Sequence, residues 1–229
     1  MIDNEIESRV FKDINFFPYD MKILILGSFP IPLYSQVDKF NTLPKDKKEN
    51  AWYYSSSRSE FWKLIYDSFQ DKIQKEKSFF IQNKKLKKEL FTNNKIGIAD
   101  VFLKCRRKDK NSSKDTDLII VEYNKILSDV LLSYNTLKLI IFTSRFTENH
   151  FFKIINNIDY SILDSFDVNN IYNNKLSNEI ISSIRERIIR VNNNKVKIAT
   201  LTLKRSPIKG ITLYSTKREL YSYYLNLYN

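Results

Sequence analysis

Cysteine and histidine are almost missing: Cys105 and His150 are the only residues of their types among 229. No disulfide, zinc site of the usual Cys/His kind or iron–sulfur cluster can be assembled from this chain alone. Chemistry therefore falls to hydroxyls, carboxylates, amides and cations, and neither a metal nor a cofactor is expected. Long apolar runs are missing too. None approaches the roughly 20 residues that cross a bilayer, and acidic, polar sequence follows Met1 in place of a basic region and a signal-peptide core. No membrane partner is expected, and the expected compartment is the cytoplasm, nucleoid-associated, or the nucleus in a eukaryote. Negative charge is in deficit: 26 Asp and Glu against 38 Lys and Arg leave a net charge of +12. That excess favours a polyanionic partner, although a Lys-rich composition alone would give the same count.

What is present suffices for a core. Hydrophobic residues make up 42% of the chain and aromatic residues 14%, which excludes wholesale disorder. The length suits one domain over residues 1–229, acting as a monomer. An irregular or amphipathic lead, 5–19, precedes the apolar run 21–27, and similar short runs recur at 96–102, 137–142 and 195–203. Short continuous apolar runs closed by Gly or Pro read as strands buried on both faces. Helical spacing marks 61–69 with Ser59 as N-cap, a basic segment 82–94, then 118–133, 147–156 and 177–190. A closing helix over 215–228 places Leu220, Tyr223, Tyr224 and Leu227 on one face. The stretch 105–117 reads as a charged loop, and a surface insertion is expected around 159–194. Alternating strands and helices give an α/β fold, a three-layer αβα sandwich around a mostly parallel four-stranded sheet.

The three glycines, Gly27, Gly97 and Gly210, each fall where an expected strand meets a loop. Ligands of open α/β sheets bind at the carboxyl ends of strands, and that rim carries the informative motifs. They are Leu-Ile-Leu-Gly-Ser-Phe-Pro (24–30), Trp-Tyr-Tyr-Ser-Ser-Ser-Arg-Ser-Glu-Phe-Trp-Lys (52–63), Gly-Ile-Ala-Asp-Val (97–101), Leu-Ile-Ile-Phe-Thr-Ser (139–144) and Arg-Ser-Pro (205–207). In order and spacing the set resembles the uracil-DNA glycosylase superfamily, most of all its mismatch-specific and hypoxanthine-DNA glycosylase branches. The resemblance omits the first 20 residues and the stretch 159–194.

This resemblance implies a base-flipping enzyme that breaks the bond between sugar and base. The family's Asp or Asn after Gly-x is replaced here by Phe29, and the Asn of the hypoxanthine branch by Ser59. Two readings follow: a glycosylase that removes a deaminated or modified base such as uracil or hypoxanthine, or a glycosylase-fold protein that binds DNA or a partner protein without cutting. For the first, Asp100 and Ser59 are the candidate catalytic groups, since cleavage leaves a cation-like sugar and a base gaining negative charge. Asp100 has an alternative role as a loop cap. Gly27, Ser28, Phe29, Tyr53 and Tyr54 are candidates for the base pocket, with core packing the alternative for the aromatic residues. Arg58 and the loop Lys204, Arg205, Ser206 and Pro207 are the candidate DNA contacts, which Lys104, Arg106, Arg107 and Lys108 would extend. His150 and Cys105 are expected to be structural.

Overall fold

A computed structural model describes residues 5–11, 13–57, 59–164, 184–201 and 213–228. Its strands are β1 (Glu7–Ser8), β2 (Asn15–Phe16), β3 (Ile23–Gly27), β4 (Ile96–Asp100), β5 (Phe102–Arg107), β6 (Leu118–Tyr123), β7 (Leu139–Phe142), β8 (Tyr160–Asp164), β9 (Ile184–Val191) and β10 (Asn194–Leu201). Its helices are α1 (Val37–Asn41), α2 (Lys45–Glu49), α3 (Phe61–Ser68), α4 (Lys77–Gln82), α5 (Lys84–Asn93), α6 (Ile126–Ser133), α7 (Arg145–Ile154) and α8 (Leu213–Asn226).

Every residue of β3, β4 and β7 is buried. Such strands must lie between two apolar layers. The pairing agrees: β4, β3, β7 and β10 run parallel to one another in that order. The sheet is nevertheless larger than the four strands expected. It is seven-stranded and mixed, in the order β2-β4-β3-β7-β10-β9-β8, with antiparallel pairs at both margins. Side chains alternate across it. Ile23, Ile25, Ile98 and Ile141 meet α3, α5 and α8 on one face, while Leu24, Leu26, Ile140 and Phe142 meet α6 and α7 on the other. Register brings the carboxyl ends into line, Gly27 opposite Asp100 and Leu26 opposite Phe142.

Several elements differ from the sequence reading. Of the expected loop 105–117 only 105–107 belong to a strand, the end of β5, while the first part of the expected helix 118–133 is β6; the two strands pair antiparallel and β1 joins the other side of β5. Leu118-Ile-Ile-Val-Glu-Tyr is rich in β-formers, and the helix starts only at Ile126. The expected helix 177–190 ends as a strand, β9, which turns into β10 through Asn192 and Asn193. Asn192 has φ 51°, in the left-handed region that two-residue hairpins need and that Asn tolerates. With β8, β9 extends the sheet at the two described ends of the stretch read as a surface insertion. The basic helix expected over 82–94 is interrupted at Asn83, whose side chain accepts a hydrogen bond from Leu86 N at 3.1 Å and caps α5. In α8 the buried face is Leu220, Tyr221, Tyr224 and Leu225, so Tyr223 and Leu227 sit at its flank.

Candidate functional site

The rim at the carboxyl ends of β3, β4 and β7 opens into a cavity of about 310 Å³. Its lining includes Ser28, Phe29, Tyr53, Tyr54, Ser59 and Asp100, six sequence candidates contributed by three separate motifs. Gly27 lies directly beneath: a Cβ there would stand 2.8 Å from Asp100 Oδ1 and collide with Tyr54 Oη. Arg58 and the loop Lys204, Arg205, Ser206 and Pro207 fall outside the described residues.

The Tyr53–Tyr54 pair forms one wall. Tyr54 has φ 53°, a left-handed conformation that costs a non-glycine residue about 1–2 kcal/mol, and such strain concentrates at functional sites. Its ring stacks on Phe61 at 4.3 Å. Thr143 Oγ1 donates to Leu26 O at 3.3 Å, so across the 3.2 Å contact between Tyr54 Oη and Thr143 Oγ1 it is the tyrosine that donates. Burial pushes the Tyr54 phenol up to about 12. Tyr53 is more deeply buried, and its hydroxyl donates to Ile14 O. Phe29 is nearly covered and belongs to the apolar layer on the α6–α7 side.

Asp100 is not a free carboxylate. It forms an ion pair with Arg9, and the two side chains are only 8% and 7% exposed. The guanidinium carbon lies 4.0 Å from the centre of the Tyr53 ring and 4.5 Å from that of Phe11. Burial lowers the Arg9 pKa to about 10, so the cation persists at neutral pH. A second carboxylate, Asp115, also lines the cavity. Its Oδ1 accepts from Ser28 Oγ at 2.6 Å and its Oδ2 from Ser144 Oγ at 3.2 Å. Ser144 in turn caps α7, accepting from Thr147 N at 3.2 Å. A carboxylate has about four acceptor positions, so two hydroxyl donors leave Asp115 able to hold water. Ser59 Oγ accepts from Phe61 N at 3.2 Å, one position ahead of the helix N-cap, Glu60.

Neither Arg9 nor Asp115 was found from sequence. Arg9 lies in the lead segment, before the first motif, and Asp115 stands among alternating charges without a local pattern. Thr143 and Ser144 belong to a quoted motif but were given no role. Arg107, read as a surface cation, is buried: its Nε donates to Glu7 Oε2 at 2.9 Å, its Nη1 to Ser112 O at 2.7 Å and its Nη2 to Pro30 O. Lys104 pairs with Glu122 at 2.6 Å, whereas Arg106 and Lys108 are exposed. His150 Nδ1 lies 2.9 Å from Tyr123 Oη, its ring packs on Phe102 and Phe146, and burial lowers its pKa. Burial pushes the Cys105 thiol up to about 12, which leaves it unreactive near neutrality.

A second cavity, of about 330 Å³, shares Tyr54, Ser59 and Thr143 and continues along α8 past Lys217 and Tyr221. Among the described residues no group of three His, Cys, Asp or Glu could hold a metal ion, and no helix is long and apolar enough to cross a membrane. The site thus offers one buried cationic donor, one compensated carboxylate, one carboxylate held by two hydroxyls, and aromatic walls. No family model matches the chain, and no curated protein does. Among solved structures, a candidate uracil DNA glycosylase from Methanosarcina acetivorans, determined by NMR in solution, is similar at 23% identity over 64% of this chain and 74% of that one, with a TM-score of 0.43.

Proposed function

We propose that this protein is a monofunctional DNA glycosylase of the uracil-DNA glycosylase type, which takes a deaminated or modified base out of the duplex and hydrolyses its N-glycosidic bond. One observation carries the reading: segments as far apart as Ser28, Tyr54, Asp100 and Thr143, all within the motifs that resemble that superfamily, line a single cavity. Its volume, about 310 Å³, falls at the small end of ligand pockets, roughly 300–1,000 Å³, as a single base requires. The adjoining cavity has room for the attached sugar.

In this reading Phe29, Tyr53 and Tyr54 bound the base on its flat sides. The water-holding role of the missing motif residue passes to Asp115, beside Ser28, where an anion both orients water and favours a cation-like sugar. Ser59 keeps its hydroxyl proton for the base or for water, and Asp100 acts through Arg9. Arg58 and the loop 204–207 contact phosphates, the whole chain acts as one domain and one monomer, and the protein works wherever DNA is held.

The second reading, binding without cleavage, is favoured by the Arg9–Asp100 pair, which compensates the carboxylate first expected to act. One experiment separates them. Duplex and single-stranded oligonucleotides carrying uracil, hypoxanthine, xanthine or mismatched thymine are incubated with the protein, treated with alkali and examined for breaks. Breaks that are lost in Asp115→Asn support the glycosylase; retention of lesion DNA without breaks across the panel supports the binding protein; no retention at low salt refutes both.

A further inference from the structure

Arg9 is the most unusual group in the cavity. Its side chain is over nine-tenths buried, it comes from the lead segment rather than from any motif, and among the described residues its one polar partner is Asp100. A guanidinium carries five N–H donors, and one carboxylate engages at most two of them. The rings of Tyr53 and Phe11 cover apolar faces of the group and accept no conventional hydrogen bond. Arg9 also lines the cavity, so donors that Asp100 does not engage are within reach of a ligand held there. A buried cation with idle donors is costly unless a ligand supplies an acceptor.

We infer that Arg9 is a catalytic residue that hydrogen-bonds a carbonyl oxygen of the bound base and stabilises the negative charge the base acquires as it leaves, with Asp100 as the residue that positions it. This rests on the glycosylase reading above. In the step, the C1′–N bond breaks and its electron pair passes to the base, where it spreads onto the carbonyl oxygen held by Arg9. Water adds to C1′ and gives its proton to the Asp115 carboxylate. The released base anion takes a proton from solvent. A donor aimed where charge develops is worth about 10²–10³ in rate, and it is strongest where water is excluded.

The test uses leaving-group strength. Single-turnover excision is measured for uracil against 5-fluorouracil and for hypoxanthine against xanthine, the second base of each pair leaving as the more stable anion. Wild type is compared with Arg9→Gln, Arg9→Lys and the charge-balanced Arg9→Gln/Asp100→Asn, each checked for a native circular dichroism spectrum. Arg9→Gln is expected to slow excision of uracil or hypoxanthine by about 10²–10³ while slowing the better leaving group at least about tenfold less. Arg9→Lys recovers part of the loss, and affinity for a duplex carrying cleavage-resistant 2′-fluoro-2′-deoxyuridine falls far less than the rate of excision does. Equal losses within a pair, or a loss below about threefold, overturn the assignment of Arg9 alone. If wild type excises none of the four bases, the glycosylase reading falls, and the role of Arg9 in it falls too.

Discussion

Lys87 offers a quantitative test of the layer behind the site. It sits on the inner face of α5, 1% exposed, with its ammonium 4.9 Å from the centre of the Trp62 ring. Trp62 stacks on Trp52, which lines the cavity. Burial lowers the Lys87 pKa from 10.5 to about 7. Between those values the unfolded chain holds a proton that the folded protein has released, so stability rises with pH across this window, by about 1.4 kcal/mol per unit. Below pH 7 both states are protonated and the full burial cost is present; above 10.5 neither is, and it vanishes. From pH 7 to pH 9, with half the folded molecules already deprotonated at the start, the gain is about 2 kcal/mol. Urea unfolding followed by tryptophan fluorescence at pH 7, 8 and 9 measures it, and Lys87→Met removes it. The difference between wild type and variant cancels the other titrating groups. Lys87→Met is expected to be the more stable protein at pH 7, with the gap narrowing by about 2 kcal/mol at pH 9. The cation–π contact with Trp62 offsets about 0.5–2 kcal/mol of the burial cost. Parallel pH curves for the two proteins would mean that Lys87 keeps its proton in the folded state, and the reasoning would fail.

Asp100→Asn leaves the buried Arg9 without its counter-charge and is expected to cost about 3–5 kcal/mol, whereas Arg9→Met/Asp100→Leu costs far less. A chemical-denaturation cycle decides it, and a single-variant cost below about 1 kcal/mol would show that water reaches the pair. Gly27→Ala pushes Asp100 Oδ1 and Tyr54 Oη out of the space a Cβ needs, for an expected loss of about 1–3 kcal/mol; an unchanged melting temperature would refute the close approach.

The centre of the sheet was readable because strands buried on both faces are apolar throughout and so have no competing period: 21–27 and 137–142 contain the observed β3 and β7. The margins were not. In Ile184-Arg-Glu-Arg-Ile-Ile-Arg-Val, apolar residues at 184, 188, 189 and 191 fit helical spacing and a half-buried strand about equally well. Pairing with β10, set by the Asn192–Asn193 turn, decides between them. The site divides the same way. Ser28, Tyr54 and Asp100 lie beside glycines or in aromatic clusters and could be singled out locally. Asp115 and Arg9 acquire meaning only through contacts far along the chain, such as Ser28 with Asp115, 87 residues apart.

How Arg9 comes to be there follows from the segment that carries it. In extended chain, residues two apart point the same way, and Glu7 and Arg9 both turn inward while Ile6 and Ser8 are exposed. Both oxygens of Glu7 are engaged: Oε2 accepts from Arg107 Nε at 2.9 Å and from Ser35 Oγ at 2.6 Å, and Oε1 accepts from Gln36 Nε2 at 2.7 Å. Arg107 also donates to Pro30 O, next to Phe29. An apolar contact would let this short segment slide along β5, because dispersion has little directional preference. A buried carboxylate with each bond satisfied does not, since a shift of one residue would strand a charge. The register of β1 is therefore set by an ion pair between residues 100 positions apart, and that register delivers the Arg9 guanidinium to Asp100. The cation that lines the cavity is thus specified by a polar network whose side chains, Glu7, Ser35, Gln36 and Arg107, all lie outside the motifs, which is why the motifs alone point to Asp100 as a free acid.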